Sequence, residues 1–212
     1  MTNRTLNAAL QQIAATTPIE AHNLLQAFIK EQQNLGLANG LPVGGKAKDF
    51  ELKDTFGRGI SLYEELSKGP VVLTFYRGGW CPYCNRQLRA YQEVLPDIQA
   101  LGSQLIAVSP QLPDSTLSFK EKAELTFQVL SDPKGLVSAG YRLLYDVPES
   151  LKQLFMEMNI DLKEYNGTEH WILPVPATFM IDEHAVIRSA FVTPDFMKRM
   201  EPDEIIRELR SL

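Results

Sequence analysis

The sequence predicts an α/β layer preceded by a helical extension at its N-terminus. Two observations carry this. From Val71 onward, short apolar runs of strand type alternate with segments of helical periodicity, whereas the first forty residues show helical spacing alone. Between them, Leu41-Pro42-Val43-Gly44-Gly45 is a run of turn formers at a change of composition. The predicted division is a helical extension over residues 1–40 and a main domain over residues 41–212.

Within the extension, the second of two helices opens at Thr17-Pro18-Ile19-Glu20, a capping-box pattern with proline at the first helical position, and stops at Gly36. Ala21, Leu24, Leu25, Phe28, Gln32 and Leu35 share one face, apolar except for Gln32. We read this face as a cover packed on the main domain, with a homodimer contact as the alternative. In the main domain, Phe50-Glu51-Leu52 and Ile60-Ser61-Leu62 flank a turn-rich stretch and predict a hairpin. The run Val71 to Tyr76, bounded by Gly69-Pro70 and Gly78-Gly79, reads as a buried strand. One helix through Leu88, Tyr91, Leu95 and Ile98 follows, then a strand from Leu105 to Val108, which together make a βαβ unit. A helix over Ser115 to Glu124, a strand near Phe127 to Leu130 and a helix from Lys134 to Leu144 continue the alternation. Residues 146–173 interrupt it as an insertion: Pro148 to Met158 is helical in pattern, and Asp161 to His170 is polar and aperiodic, like a flap bordering a site. Ala177 to Ile181 and Ala185 to Val192 predict a second hairpin, and Pro202 to Leu209 a closing helix.

Of the 212 residues, 44% are hydrophobic and 22% charged, which excludes wholesale disorder and fibrous architectures. The 26 acidic residues outnumber the 21 basic ones, a formal charge of -5 that argues against nucleic acid as a partner. No stretch approaches the ~18 apolar residues of a membrane span, and the first thirty residues lack an apolar leader, so the expected setting is cytoplasmic and away from membranes.

The only two cysteines form Cys81-Pro82-Tyr83-Cys84, at the junction of the buried strand with the helix after it. Unpaired N–H groups and the dipole at a helix N-terminus favour a thiolate there, and residues three apart on one turn can close a disulfide, so Cys81 is expected to be the more acidic thiol of a redox pair. Two plainer uses compete: filling a core, or supplying half of a zinc site. His22, His170 and His184 lack ligand spacing, so no metal is expected, and the βαβ setting favours redox chemistry.

Tyr76-Arg77-Gly78-Gly79-Trp80-Cys81-Pro82-Tyr83-Cys84 resembles the active-site stretch of thioredoxin-fold proteins. Val43 to Leu52, Phe127 to Pro133 and Pro176 to Asp182 resemble stretches of the peroxiredoxin superfamily. More narrowly, the chain from Val43 to Leu212 is similar to the peroxiredoxin-like, CxxC-bearing branch of the alkyl hydroperoxide reductase and thiol-specific antioxidant family. The resemblance implies a thioredoxin-like fold, a mixed central sheet flanked by helices. Two positions depart from the family: Gly78 stands where a threonine usually precedes the peroxidatic cysteine, and Pro176 where an arginine usually precedes a Thr-Phe strand. Pro176 instead resembles the cis-proline of thioredoxins.

The resemblance implies a thiol-dependent peroxidase without cofactor or metal. Cys81 would attack hydrogen peroxide or an organic hydroperoxide, Cys84 would resolve the sulfenic acid, and a thioredoxin- or glutaredoxin-type donor would reduce the disulfide. Arg77 is the candidate to stabilise charge near Cys81, a solvated surface charge being the alternative, while Arg188 reads as structural. Tyr76, Gly78, Gly79, Trp80, Tyr83 and Pro176 are the candidate substrate-binding residues, and Trp171 a further candidate wall. A thioredoxin-like protein disulfide oxidoreductase, favoured by Gly78 and Pro176, and a non-enzymatic redox sensor are the alternatives.

Overall fold

In the computed structural model, which describes residues 5–36 and 38–212, the chain opens with α1 (Leu6–Ala15) and α2 (Ile19–Leu35). There follow β1 (Glu51–Asp54), β2 (Gly59–Ser61), α3 (Leu62–Leu66), β3 (Val71–Phe75), α4 (Pro82–Glu93), α5 (Leu95–Ala100), β4 (Gln104–Ser109), α6 (Pro113–Lys122) and β5 (Gln128–Ser131). The remainder comprises α7 (Leu136–Gly140), β6 (Leu144–Asp146), α8 (Glu149–Glu157), α9 (Leu162–Asn166), β7 (Ile172–Pro174), β8 (Ala177–Ile181), β9 (Ile187–Val192) and α10 (Pro202–Leu209).

Seven strands form one mixed sheet in the order β2-β1-β5-β4-β3-β8-β9. β3, β4 and β5 run parallel, as helical crossovers require, and the hairpins β1/β2 and β8/β9 close the two edges in antiparallel sense. β3 is central and buried along its whole length, as its unbroken apolar run predicts. Its side chains alternate between two cores. Val71, Leu73 and Phe75 pack with Leu62, Leu66, Tyr141 and Phe179 on one face; Val72 packs on the other with Leu88, Tyr91, Phe155 and Ile205. The second core also takes Leu6 and Leu10 of α1 and Leu25, Phe28 and Ile29 of α2, so the N-terminal helices bury their apolar face against their own chain. Leu35, expected on that face, is 52% exposed, and Ile29 takes up the buried register instead.

The structure corrects four local expectations. The capping box at Thr17 does not form: Pro18 is the N-cap of α2, and the Thr17 hydroxyl donates back to the Ile13 carbonyl at 3.2 Å. The single helix through Leu88 and Ile98 is two helices meeting at Val94, because Pro96 has no N–H to continue the ladder and its ring crowds the preceding turn. The helix expected from Lys134 to Leu144 is one short element, α7. The Asp132 carboxylate accepts from the Val137 and Ser138 N–H groups and starts it, and Arg142, at φ 57°, ends it, so Leu144 pairs with Pro174 instead. β6 and β7 thereby bracket the interruption. The stretch from Asp161 to His170, read as aperiodic, contains α9, whose Leu162 and Asn166 are fully buried.

Leu10 is fully buried in the shared core. Leu10→Ala is therefore expected to cost about 2–5 kcal/mol of unfolding free energy, measured by urea titration. A loss below about 1 kcal/mol would mean that α1 is not part of the cooperative core.

Candidate active site

β3 delivers the chain to the site. The Tyr76 N–H still donates to the Val108 carbonyl, continuing the ladder by one residue, after which Arg77 to Trp80 form a tight loop ending at Cys81, the N-cap of α4. Pro82 occupies the first turn of α4, where its missing N–H costs nothing. Cys84 stands one turn inside the helix. The loop requires its glycines. Gly78 has φ 153°, and a Cβ there would lie 2.3 Å from Trp80 Nε1; a Cβ on Gly79 would lie 2.6 Å from the Phe119 ring. Gly79 is pinned on both sides: its N–H donates to Gln111 Oε1 at 2.7 Å, and its carbonyl accepts from Asn85 Nδ2 at 2.8 Å.

Two buried arginines converge on the dithiol. Arg77, only 3% exposed, stacks on Phe196 at 4.1 Å, Trp80 at 5.1 Å and Phe155 at 5.6 Å from the ring centroids. The alternative of a solvated surface charge is thus excluded. Its Nε is buried without a hydrogen-bond acceptor. Arg199, in the loop before α10 and 2% exposed, directs Nη2 at Cys84 Sγ, 3.7 Å away. Among the described residues, neither arginine forms an ion pair with a carboxylate.

Both thiols are buried, and each acts on the ionisation of the other. Burial pushes the Cys81 thiol up, the neighbouring Cys84 pushes it the same way, and Arg77 and Arg199 only partly oppose them. Burial also acts to raise Cys84, but the neighbouring Cys81 and the charges of Arg199 and Arg77 outweigh it and pull that thiol below its ordinary value. The two influences that favour a thiolate therefore fall on different sulfurs: the helix N-terminus acts at Cys81, the N-cap of α4, and the guanidinium of Arg199 contacts Cys84.

A cleft of about 530 Å³ opens over Cys81. Its walls are mostly apolar: Ile13, Leu24 and Leu25 from the N-terminal helices, Leu154 and Phe155 from α8, and Phe196. Of the residues expected at the site, Arg77, Trp80, Cys81 and Tyr83 line this cleft, while Cys84 lies behind Cys81. Tyr76, Gly78, Gly79, Pro176 and Trp171 do not line it. Tyr76 packs its ring on Phe119, and the two glycines shape the loop. Pro176 is buried just before Ala177, the partner of Phe75, and its peptide bond is trans, unlike the thioredoxin cis-proline that it resembles. Arg188 bonds Asp182 through Nε at 2.6 Å, far from any thiol in role.

Sequence reading missed Arg199, its partner Gln87 and the cleft walls. Arg199 sits between Lys198 and Met200 in a segment without periodicity, where an arginine is indistinguishable from a solvated one. Part of the wall was signalled nonetheless: Leu24 and Leu25 on the apolar face of the second helix, and Trp80 and Tyr83 beside the cysteines, all line the cleft.

A family model described as the AhpC/TSA family matches residues 43–190. A putative peroxiredoxin of Mycobacterium tuberculosis is 32% identical over 93 residues, 44% of this chain, and the match spans 59% of that relative's length. The chloroplastic peroxiredoxin Q of Sedum lineare is 28% identical over 169 residues, 80% of this chain and 78% of that protein. Among solved structures, the peroxidoxin BcpB of Mycobacterium tuberculosis superposes with a TM-score of 0.63 at 22% identity, covering 81% of this chain and 98% of that one. This last likeness is one of fold.

Titration of thiolate ultraviolet absorbance in the reduced protein should show one thiol ionising below the ordinary thiol range and the other only at alkaline pH. The low step should vanish in Cys84→Ser. Its survival there, with loss in Cys81→Ser, would return the acidic role to Cys81.

Proposed function

The chain belongs to the AhpC/TSA family, and from that premise we propose that it is a thiol-dependent peroxidase acting through the Cys81–Cys84 dithiol, without cofactor or metal. The observation that carries the reading is a buried dithiol beside two arginines that have no carboxylate partner, with one of its sulfurs on the wall of a cleft. Buried cations of this kind favour a thiolate, and the peroxidase reaction begins with one.

The chemistry follows from the order of the two sulfurs. In the reactive form the pair carries one negative charge and one proton, the charge being stabilised by the two guanidinium groups. Cys81, on the cleft side, bonds to the terminal peroxide oxygen as the O–O bond breaks. The proton of the pair ends on the departing oxygen, giving water or an alcohol. Cys84, left as a thiolate, attacks the sulfenic sulfur of Cys81, expels hydroxide and closes the disulfide. A thioredoxin- or glutaredoxin-type dithiol then restores the pair by two exchange steps, which suits a reducing compartment such as the cytoplasm. Arg77 lies over the cleft side of the pair and stabilises charge building on the departing oxygen.

Two outcomes test this. Because the chain has only these cysteines, oxidation by one equivalent of peroxide should give an intramolecular disulfide, seen as a loss of two hydrogens by intact mass and an unchanged band on non-reducing electrophoresis. Stopped-flow oxidation by hydrogen peroxide and an organic hydroperoxide should then outpace insulin-disulfide reduction; the opposite ranking would favour the disulfide oxidoreductase. Arg77→Met keeps much of the bulk within the aromatic slot and removes the charge, so the peroxide rate constant should fall by about ten-fold or more, roughly 1.4 kcal/mol. A folded variant with an unchanged rate would remove Arg77 from the chemistry.

A further inference from the structure

The guanidinium of Arg199 is spoken for at every nitrogen. Nε donates to Gln87 Oε1 at 2.7 Å, Nη1 donates to the carbonyls of Phe196 and Lys198, and Nη2 faces Cys84 Sγ at 3.7 Å. Apart from the sulfur, these partners are neutral. Gln87, itself fully buried, is held in turn by Thr74 Oγ1 at 3.3 Å. The backbone of Arg199 is set from the opposite end of the sequence. Its N–H donates to Asn7 Oδ1 at 2.9 Å, and its carbonyl accepts from Asn7 Nδ2 at 2.7 Å. Two residues on, the Glu201 carboxylate accepts from the Leu6 and Asn7 N–H groups at 2.8 and 2.9 Å, satisfying orphan donors at the N-terminus of α1. The first helix and the loop before the last helix are thus clamped together directly behind the dithiol.

We propose that Arg199 is a positioning residue that acts through Cys84, holding its sulfur as the resolving nucleophile, and that α1 sets Arg199 in place through Asn7. The resolving role rests on the peroxidase reading; the charge relation between Arg199 and Cys84 does not. The groups facing the Cys84 sulfur are Tyr76 from β3, Arg77 from the loop, Cys81 at the start of α4, Tyr145 from β6 and Arg199. Only the two arginines are cationic, and Arg77 is also turned toward the cleft. Arg199 is therefore the charge that remains beside Cys84 after Cys81 has been oxidised. In the closing step the Cys84–Cys81 bond forms, the S–O bond of the sulfenic acid breaks and hydroxide leaves. The guanidinium keeps the attacking sulfur ionised until that moment.

The test uses the full reduced chain. In a Cys81→Ser background, thiolate absorbance reports Cys84 alone, and adding Arg199→Met should raise its ionisation by about one pH unit or more. Arg199→Lys, which keeps the charge, should restore part of that shift, and Asn7→Ala should move it in the same direction by a smaller step. With both cysteines present, Arg199→Met should slow disulfide closure more than the first oxidation, so that dimedone captures about ten-fold more sulfenic acid at Cys81. A purely structural arginine would change neither that ratio nor the titration. A folded Arg199→Met with the parental titration and no gain in captured sulfenic acid overturns the proposal. If that variant does not fold, parental titrations in both Arg199→Gln, which also removes the charge, and Asn7→Ala overturn it equally. Peroxide takes no part in the titration, so a shifted titration in a protein that fails to consume peroxide sustains the pairing of Arg199 with Cys84 and removes only the peroxidase reading.

Discussion

The site depends on two guanidinium groups held away from water with no carboxylate, among the described residues, to neutralise them. Taking an unpaired charge out of water costs several kcal/mol after relaxation, and neutral carbonyls and amides offset only part of that. At Arg77 the compensation comes from three aromatic faces, and at Arg199 from Gln87 and two carbonyls, but neither set supplies a negative charge. The remaining anion is the dithiol. The arginines make the thiolate favourable, and the thiolate in turn makes two buried cations tolerable, so acidity and packing are parts of one electrostatic arrangement.

That arrangement can exist because the sheet holds it at a fixed place. β3 is packed on both faces and ends where α4 begins, so the N-cap position of α4 is as rigid as the centre of the protein. Gly78 and Gly79 let the intervening loop press against Trp80 and Phe119 closely enough to bring Arg77 beneath the aromatic stack. A methyl group on either glycine would push the loop outward and separate the charge from the sulfur. Cleft position and guanidinium contact then fall on different cysteines: Cys81 borders the cleft, whereas Cys84 Sγ meets Arg199.

The cleft itself is built by the parts of the chain beyond the conventional sheet. Ile13, Leu24 and Leu25 come from α1 and α2, and Leu154 and Phe155 from α8 within the interrupted stretch. Neither α2 nor α8 could bury its apolar face alone; facing each other across the dithiol, they cover it and leave a mostly apolar opening. The N-terminal helices therefore serve the site twice, as a wall through α2 and as the clamp on Arg199 through Asn7.

The alternation from β3 to β5, both edge hairpins, the closing helix and the CxxC at the start of α4 were legible in the amino-acid sequence, because each depends on local periodicity or on residues a few positions apart; α3, β6, β7 and α9 were not. Local signals failed where a contact distant in sequence competed with them. Thr17 gave up its cap to bond Ile13, α7 was cut short by Asp132 and by the pairing of Leu144 with Pro174, and the polar stretch from Asp161 buried Leu162 and Asn166. The nucleophile pair and Arg77 were visible because they are neighbours along the chain. Arg199 was not, since it lies 115 positions from Cys84 and nothing in Met197-Lys198-Arg199-Met200 separates a buried guanidinium from a solvated one. Local sequence sufficed to put the two cysteines side by side where β3 meets α4, because they are three positions apart at a strand-to-helix junction. The contact between Arg199 and Cys84 came from tertiary packing alone, because it joins residues 115 positions apart that only folding brings together.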